Sequence, residues 1–149
     1  MYEYNKTYTF EVTATFQDLP QELVNTMFQD GRVASKFLEN QLPFWFSSLD
    51  FVDAKGYDHV DMETNRKLDA KCFTKGGMGF APSSMYGAGR KVVKEEAHAH
   101  ADTIDYIACD VVEFPTVRVR FVKGSDLIKQ YTNTGCRVPF KDRDHFFAN

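Results

Sequence analysis

The apolar spacing of the chain predicts an α/β domain with a central mixed sheet flanked by helices. Three observations carry that expectation. Apolar residues with a period of two open the chain and return on either side of residue 65 and beyond residue 104. Stripes with helical spacing stand between those runs. A stretch dense in glycine and serine, residues 74–89, separates the middle strands from the next helix.

Tyr8, Phe10, Val12, Ala14 and Phe16 alternate with Thr9, Glu11, Thr13 and Thr15, so residues 7–16 read as a half-buried strand. In DLPQEL, Asp18 reads as a helix cap, Pro20 as a first-turn residue and Gln21 as the partner closing a capping box. Leu23, Val24, Met27 and Phe28 follow as an inward stripe. Gly31 is expected to break that helix. A second helix carries Val33, Phe37 and Leu38 on one side, and Pro43 is expected to end it. The aromatic run from Pro43 to Gly56 reads as a strand closed by a turn at Lys55-Gly56, with Trp45 and the nearby phenylalanines in the core. YDHVDME and RKLDAKCF read as a hairpin around Thr64-Asn65. TKGGMGFAPSSMYGAG has no period and is expected to form a long functional or mobile loop.

RKVVKEEAHAHAD is the next helix, with Val92, Val93 and Ala97 facing inward. IDYIACDVVEF and TVRVRFVKG are two strands joined at Pro115. SDLIKQY is a short helix with Ser125 as its cap, and the tail from Gly135 reads as irregular. No repeat or linker divides the chain, so residues 1–149 are expected to form a single domain.

Composition narrows the function classes. A chain of 149 residues with 43% hydrophobic and 15% aromatic content can bury a core of its own. Its net charge of −3 excludes a global basic field, so any nucleic-acid function must rest on a local basic surface and on metal ions. Cys72, Cys109 and Cys136 are odd in number and form no CxxC pair, which supports neither a disulfide framework nor a zinc site. No apolar run approaches the roughly 18 residues needed to cross a bilayer. The N-terminus lacks a signal peptide's apolar centre, so the expectation is a soluble, cytoplasmic protein with no membrane partner.

KLDAKCFTKGG carries the chemistry. Side chains alternate along a strand, so Asp69 and Lys71 share one face about 7 Å apart, opposite Leu68, Ala70 and Cys72. If the preceding segment pairs with this one, Asp58 meets Asp69 across adjacent strands. Two such carboxylates repel unless a cation sits between them. Oxygen ligands favour a hard ion such as Mg²⁺. A lysine beside that ion orients a water or stabilises negative charge on a phosphate.

Asp58 followed by Asp69-Ala70-Lys71 at the end of a strand pair resembles the PD-(D/E)xK motif of restriction-endonuclease-like nucleases. The run D-H-V-D, a hairpin and L-D-A-K is similar to type II restriction enzymes of the PvuII kind. The resemblance spans roughly residues 30–130 in element order and three residues in chemistry. It departs from the family at Tyr57, where proline is usual, and at Asp69, where glutamate is commoner. It implies a restriction-endonuclease-like core and a metal-dependent endonuclease acting on DNA. Asp58, Asp69 and the backbone carbonyl of Ala70 would hold Mg²⁺, with Mn²⁺ as a substitute, and Lys71 would be the catalytic lysine. Such enzymes commonly pair as homodimers. Restriction, phage DNA processing and repair stand equally open.

Lys75, Arg90, Lys91 and Lys94 cluster around the motif, and phosphate contacts need such local charge together with the N–H groups of a glycine-rich turn. Solvation of the helix accounts for Arg90 and Lys94 equally well. Asp61 competes with Asp58 as the first ligand and pairs in sequence with His59, although a solvated face is the blander account of both. His98 and His100 read as surface residues, and Arg118 and Arg120 as a solvated row. Two other functions compete: a catalytically inactive nucleic-acid-binding or assembly protein of the same fold, favoured by the acidic balance, and a small α/β enzyme using His98 or Cys72.

Overall fold

A computed structural model of the chain describes residues 1–131 and 133–149. The elements run β1 (Thr7–Glu11), α1 (Gln21–Phe28), α2 (Gly31–Trp45), β2 (Leu49–Ala54), β3 (Tyr57–Asp61), β4 (Lys67–Phe73) and β5 (Met78–Gly79). After these come α3 (Lys94–Ala101), β6 (Asp105–Asp110), β7 (Thr116–Lys123), α4 (Gly124–Gln130), β8 (Arg137–Val138) and α5 (Arg143–Phe146). The expected α/β class is what the structure has: a six-stranded mixed sheet in the order β1-β7-β6-β4-β3-β2, with β5 and β8 forming a separate two-stranded ribbon.

β2, β3 and β4 form an antiparallel meander, and β4 pairs in parallel with β6. A parallel pair requires a long crossover, and the connection from Thr74 to Ile104, which contains α3, supplies it. Every residue of β6 is buried, as expected of a central strand covered on both faces. Alternation then sorts its side chains. Tyr106 and Ala108 join a core with Ala97 and Ala101 of α3, Leu127 of α4 and Phe146 of α5. Ile107 and Cys109 join the opposite core with Val24 and Phe28 of α1 and Ala34, Leu38 and Leu42 of α2.

Several local expectations are corrected. Pro43 lies inside α2, which continues to Trp45. Pro20, not Asp18, stands at the N-cap of α1, and Lys123 rather than Ser125 precedes α4. Gly124 opens α4 because an added Cβ would lie 1.8 Å from the Ala101 carbonyl oxygen. β1 stops at Glu11, and α3 begins only at Lys94 with Val93 exposed. The glycine-rich stretch contains β5 and a 3₁₀ turn at Ser83–Met85, and the tail holds β8, a second 3₁₀ turn and α5. Phe46 is in the core and Trp45 stacks on Phe10, but Phe44 is 85% exposed.

Candidate functional site

The ladder between β3 and β4 pairs His59 with Leu68 and Val60 with Lys67. One step further in that register Asp58 stands opposite Asp69, but the ladder stops there. Asp58 Oδ2 instead accepts the Ala70 N–H at 3.2 Å, so the side chain replaces a main-chain partner where the two strands separate. Asp69 Oδ2 lies 3.1 Å from Lys71 Nζ, and both side chains are largely buried. Asp58 and Asp69 line the same cleft, and the Asp58 carboxylate acts on the Asp69 carboxyl. The structure therefore gathers Asp58, Asp69, Ala70 and Lys71 in one place.

Electrostatics at this point are unusual. Burial, the largest influence, together with the neighbouring Asp58 carboxylate pushes the Asp69 carboxyl up to about 7, although Lys71 acts in the opposite direction. Two acids and one ammonium group leave an excess of negative charge in a poorly solvated setting. These residues line a cleft of 970 Å³.

Glu39 also lines that cleft, and sequence reading missed it. Burial and the neighbouring Asp58 charge raise its carboxyl above the usual range. Its Oε2 is buried without a hydrogen bond, and Lys36 Nζ lies 3.4 Å away. A signal was present: Gly31, Ser35 and Glu39 recur every four residues beside the apolar stripe Ala34, Leu38 and Leu42. The first stripe faces the cleft and the second the core. Gly31 permits the approach, since a Cβ there would lie 3.2 Å from Cys72 Cβ.

His59 and Asp61 do not form the solvated pair expected of them. Both are buried. Asp61 accepts the Tyr2 hydroxyl at 2.5 Å and the N–H groups of Glu63 and Thr64, which closes the β3–β4 turn. His59 Nε2 lies 2.8 Å from the Glu39 carbonyl oxygen. That carbonyl would ordinarily accept from the residue four positions on, which is Pro43 and has no N–H. His59 supplies the missing donor, which fixes the Nε2–H tautomer and ties the strand carrying Asp58 to the helix turn carrying Glu39. Burial lowers the pKa of its ring, in keeping with a neutral imidazole.

The remaining candidates divide. His100 lines the cleft and its pKa is lowered by burial and by the Lys71 charge, so it is not simply a surface residue. Cys72 also lines it, but burial pushes the thiol up to about 12, which disfavours a thiolate nucleophile. Lys75, Arg90, Lys91 and Lys94 are exposed and stand outside the cleft; Lys55 and Lys67 are there instead. Arg118 binds Asp110, and Arg120 binds Thr7 and the Ala148 carbonyl, so neither belongs to a freely solvated row.

Among the described residues, no group of three or more His, Cys, Asp or Glu side chains is gathered into a ready metal site. The donor set of Asp58 and Asp69 nonetheless suits a hard cation that keeps several waters, because such ions are typically held by one or two carboxylates. Among the described residues no helix is long and apolar enough to cross a membrane. No protein-family model, curated protein or solved structure matches the chain.

Proposed function

We propose that the chain is a metal-dependent nuclease with a restriction-endonuclease-like core that hydrolyses DNA phosphodiester bonds. The observation that carries this reading is the convergence of Asp58, Asp69 and Lys71 where β3 and β4 part, with Asp58 Oδ2 3.2 Å from the Ala70 N and Lys71 Nζ 3.1 Å from Asp69. The element order supports it: an antiparallel meander β2-β3-β4, a crossover containing α3, and β6 added in parallel.

Asp58, Asp69 and the Ala70 carbonyl would hold Mg²⁺. When bound, the ion would polarise the scissile phosphate and acidify a water beside it. The protein's own groups do the remainder. Burial keeps Asp69 electrostatically unsatisfied, which favours cation capture over an idle ion pair. Lys71 orients the attacking water and opposes charge developing on the phosphate. Glu39 adds a carboxylate to the cleft lining, and its backbone carbonyl is tied by His59 to the strand carrying Asp58.

Purified protein is expected to nick or cut plasmid DNA with Mg²⁺ or Mn²⁺, and Asp69→Ala and Lys71→Ala to lose at least about 100-fold in rate, the scale of a lost transition-state contact. Equal cleavage by Lys71→Ala would remove the lysine from the mechanism. DNA binding without cleavage by the wild type would favour the inactive binding or assembly protein.

A further inference from the structure

Past Lys71 the cleft continues into a second groove of 460 Å³, and Lys71, Gly31, Ser35 and Thr74 line both. The balance of charge reverses along this path. In the cleft, Glu39, Asp53, Asp58 and Asp69 outnumber Lys55, Lys67 and Lys71. In the groove, Arg32, Arg137 and Lys71 face Asp30 alone.

The Arg137 guanidinium is held in place before any ligand arrives, while Arg32 stands beside it in a surface ion pair. Arg137 Nη1 donates to the Gly76 carbonyl at 3.0 Å, and the guanidinium stands 5.5 Å from the centre of the Tyr86 ring. Tyr86 is itself anchored, its hydroxyl bridging the Ala81 N–H and the Cys136 carbonyl. Arg32 is gripped by Asp30 through Nε at 3.2 Å and Nη2 at 2.8 Å, with its side chain 90% exposed. A guanidinium has five N–H donors, so each retains donors for an incoming oxyanion. Fixing Arg137 in advance reduces the ordering cost of binding.

Resting on the nuclease reading above, we infer that this groove is a second phosphate subsite, holding the phosphate next to the scissile one on a DNA strand that enters the cleft past Lys71. The chemistry of a polynucleotide demands such a division. The scissile phosphate must approach an acidic pocket, and a cation makes that possible. Its neighbour has no metal and needs fixed positive charge within a nucleotide's reach. Arg32 and Arg137, from α2 and β8, supply positive charge in the groove that shares Lys71, Gly31, Ser35 and Thr74 with the cleft.

The test is a salt titration of the full chain binding a fluorescent DNA duplex, and an RNA duplex of the same sequence, in EDTA. Arg137→Ala is expected to weaken DNA binding about tenfold and to reduce the slope of log affinity against log salt by about one, the signature of one lost phosphate contact. Arg32→Ala is expected to act in the same direction but less. Should Arg137→Ala melt early, Arg137→Gln keeps a donor for Gly76 and takes its place. The Mn²⁺-induced rise in melting temperature is expected to be the same in these variants as in the wild type. Wild-type affinity and slope in the folded double variant, with the wild-type Mn²⁺ response intact, would overturn the subsite and leave the nuclease reading standing. Failure of the wild type to bind either duplex would overturn both. Tighter binding of RNA than of DNA would overturn the choice of DNA.

Discussion

Asp110 and Asp69 lie on one face of the sheet, on the adjacent parallel strands β6 and β4, and the protein treats them in opposite ways. Asp110 stands beside Phe73, four residues along β4 from Asp69. It is 1% exposed and fully matched: Arg118 reaches it at 2.8 Å, Arg143 at 2.9 Å, and the Val112 N–H at 3.1 Å. Asp105, at the other end of β6, is likewise held by Arg66 and the Tyr4 hydroxyl. Asp69 has one ammonium group and must share its surroundings with a second carboxylate. Buried charge is ordinarily paired because desolvation is costly. Where the same sheet pairs two acids completely and leaves a third in conflict, the third is the candidate place for a partner from outside.

The largest expected effect probes the matched end. Asp110→Asn removes the carboxylate from two partly buried guanidinium groups, and breaking a buried pair costs about 3–5 kcal/mol. Chemical denaturation measures it, and a loss below about 1 kcal/mol would erase the distinction between the two ends.

The next effect has the opposite sign. Because the Asp69 carboxyl is raised to about 7 from its ordinary 3.8, the folded chain binds a proton more tightly than the unfolded chain. Asp69 therefore costs stability as pH rises from about 4 to 7, and the full cost persists above 7. In metal-free buffer Asp69→Asn is expected to stabilise the protein by on the order of 2–3 kcal/mol at pH 8, with the gain shrinking towards pH 4. Mn²⁺ is expected to stabilise the wild type and not the variant. A variant less stable than the wild type at pH 8 would show that Asp69 is a satisfied structural acid like Asp110.

The smallest effect concerns the tie between the walls of the cleft. His59→Phe leaves the Glu39 carbonyl without a donor, which costs about 1–3 kcal/mol. In a Pro43→Ala background, position 43 regains an N–H for that carbonyl, and His59→Phe is expected to cost about 1 kcal/mol less. Additive losses in a double-mutant cycle would show that the His59 hydrogen bond is not what replaces the missing helical donor.

Much of the candidate site was legible because it is local. Asp69 and Lys71 are two residues apart, and strand alternation alone puts them on one side. Asp58 needed only the hairpin register, which the turn at Thr64-Asn65 made readable. Glu39 was not legible as a partner, since α2 reaches β4 through tertiary packing at Gly31. Pro43 was misread for a related reason: a proline usually ends a helix because a carbonyl loses its partner, and here a histidine sixteen residues further on replaces it. Asp61 and His59 were misread as solvated because polarity says nothing about whether a buried partner exists.

The sequence by itself determined the α/β class, the hairpin and the sharing of one strand face by an acid and a lysine, because these follow from short-range periodicity and turn chemistry. Only the tertiary structure decided which acids are matched and which are left in conflict. Matching depends on arginines and tyrosines brought from distant elements, as Tyr2 is to Asp61 and Arg143 to Asp110. Desolvation, which turns an unmatched carboxylate into a site, exists only once the chain has closed around it.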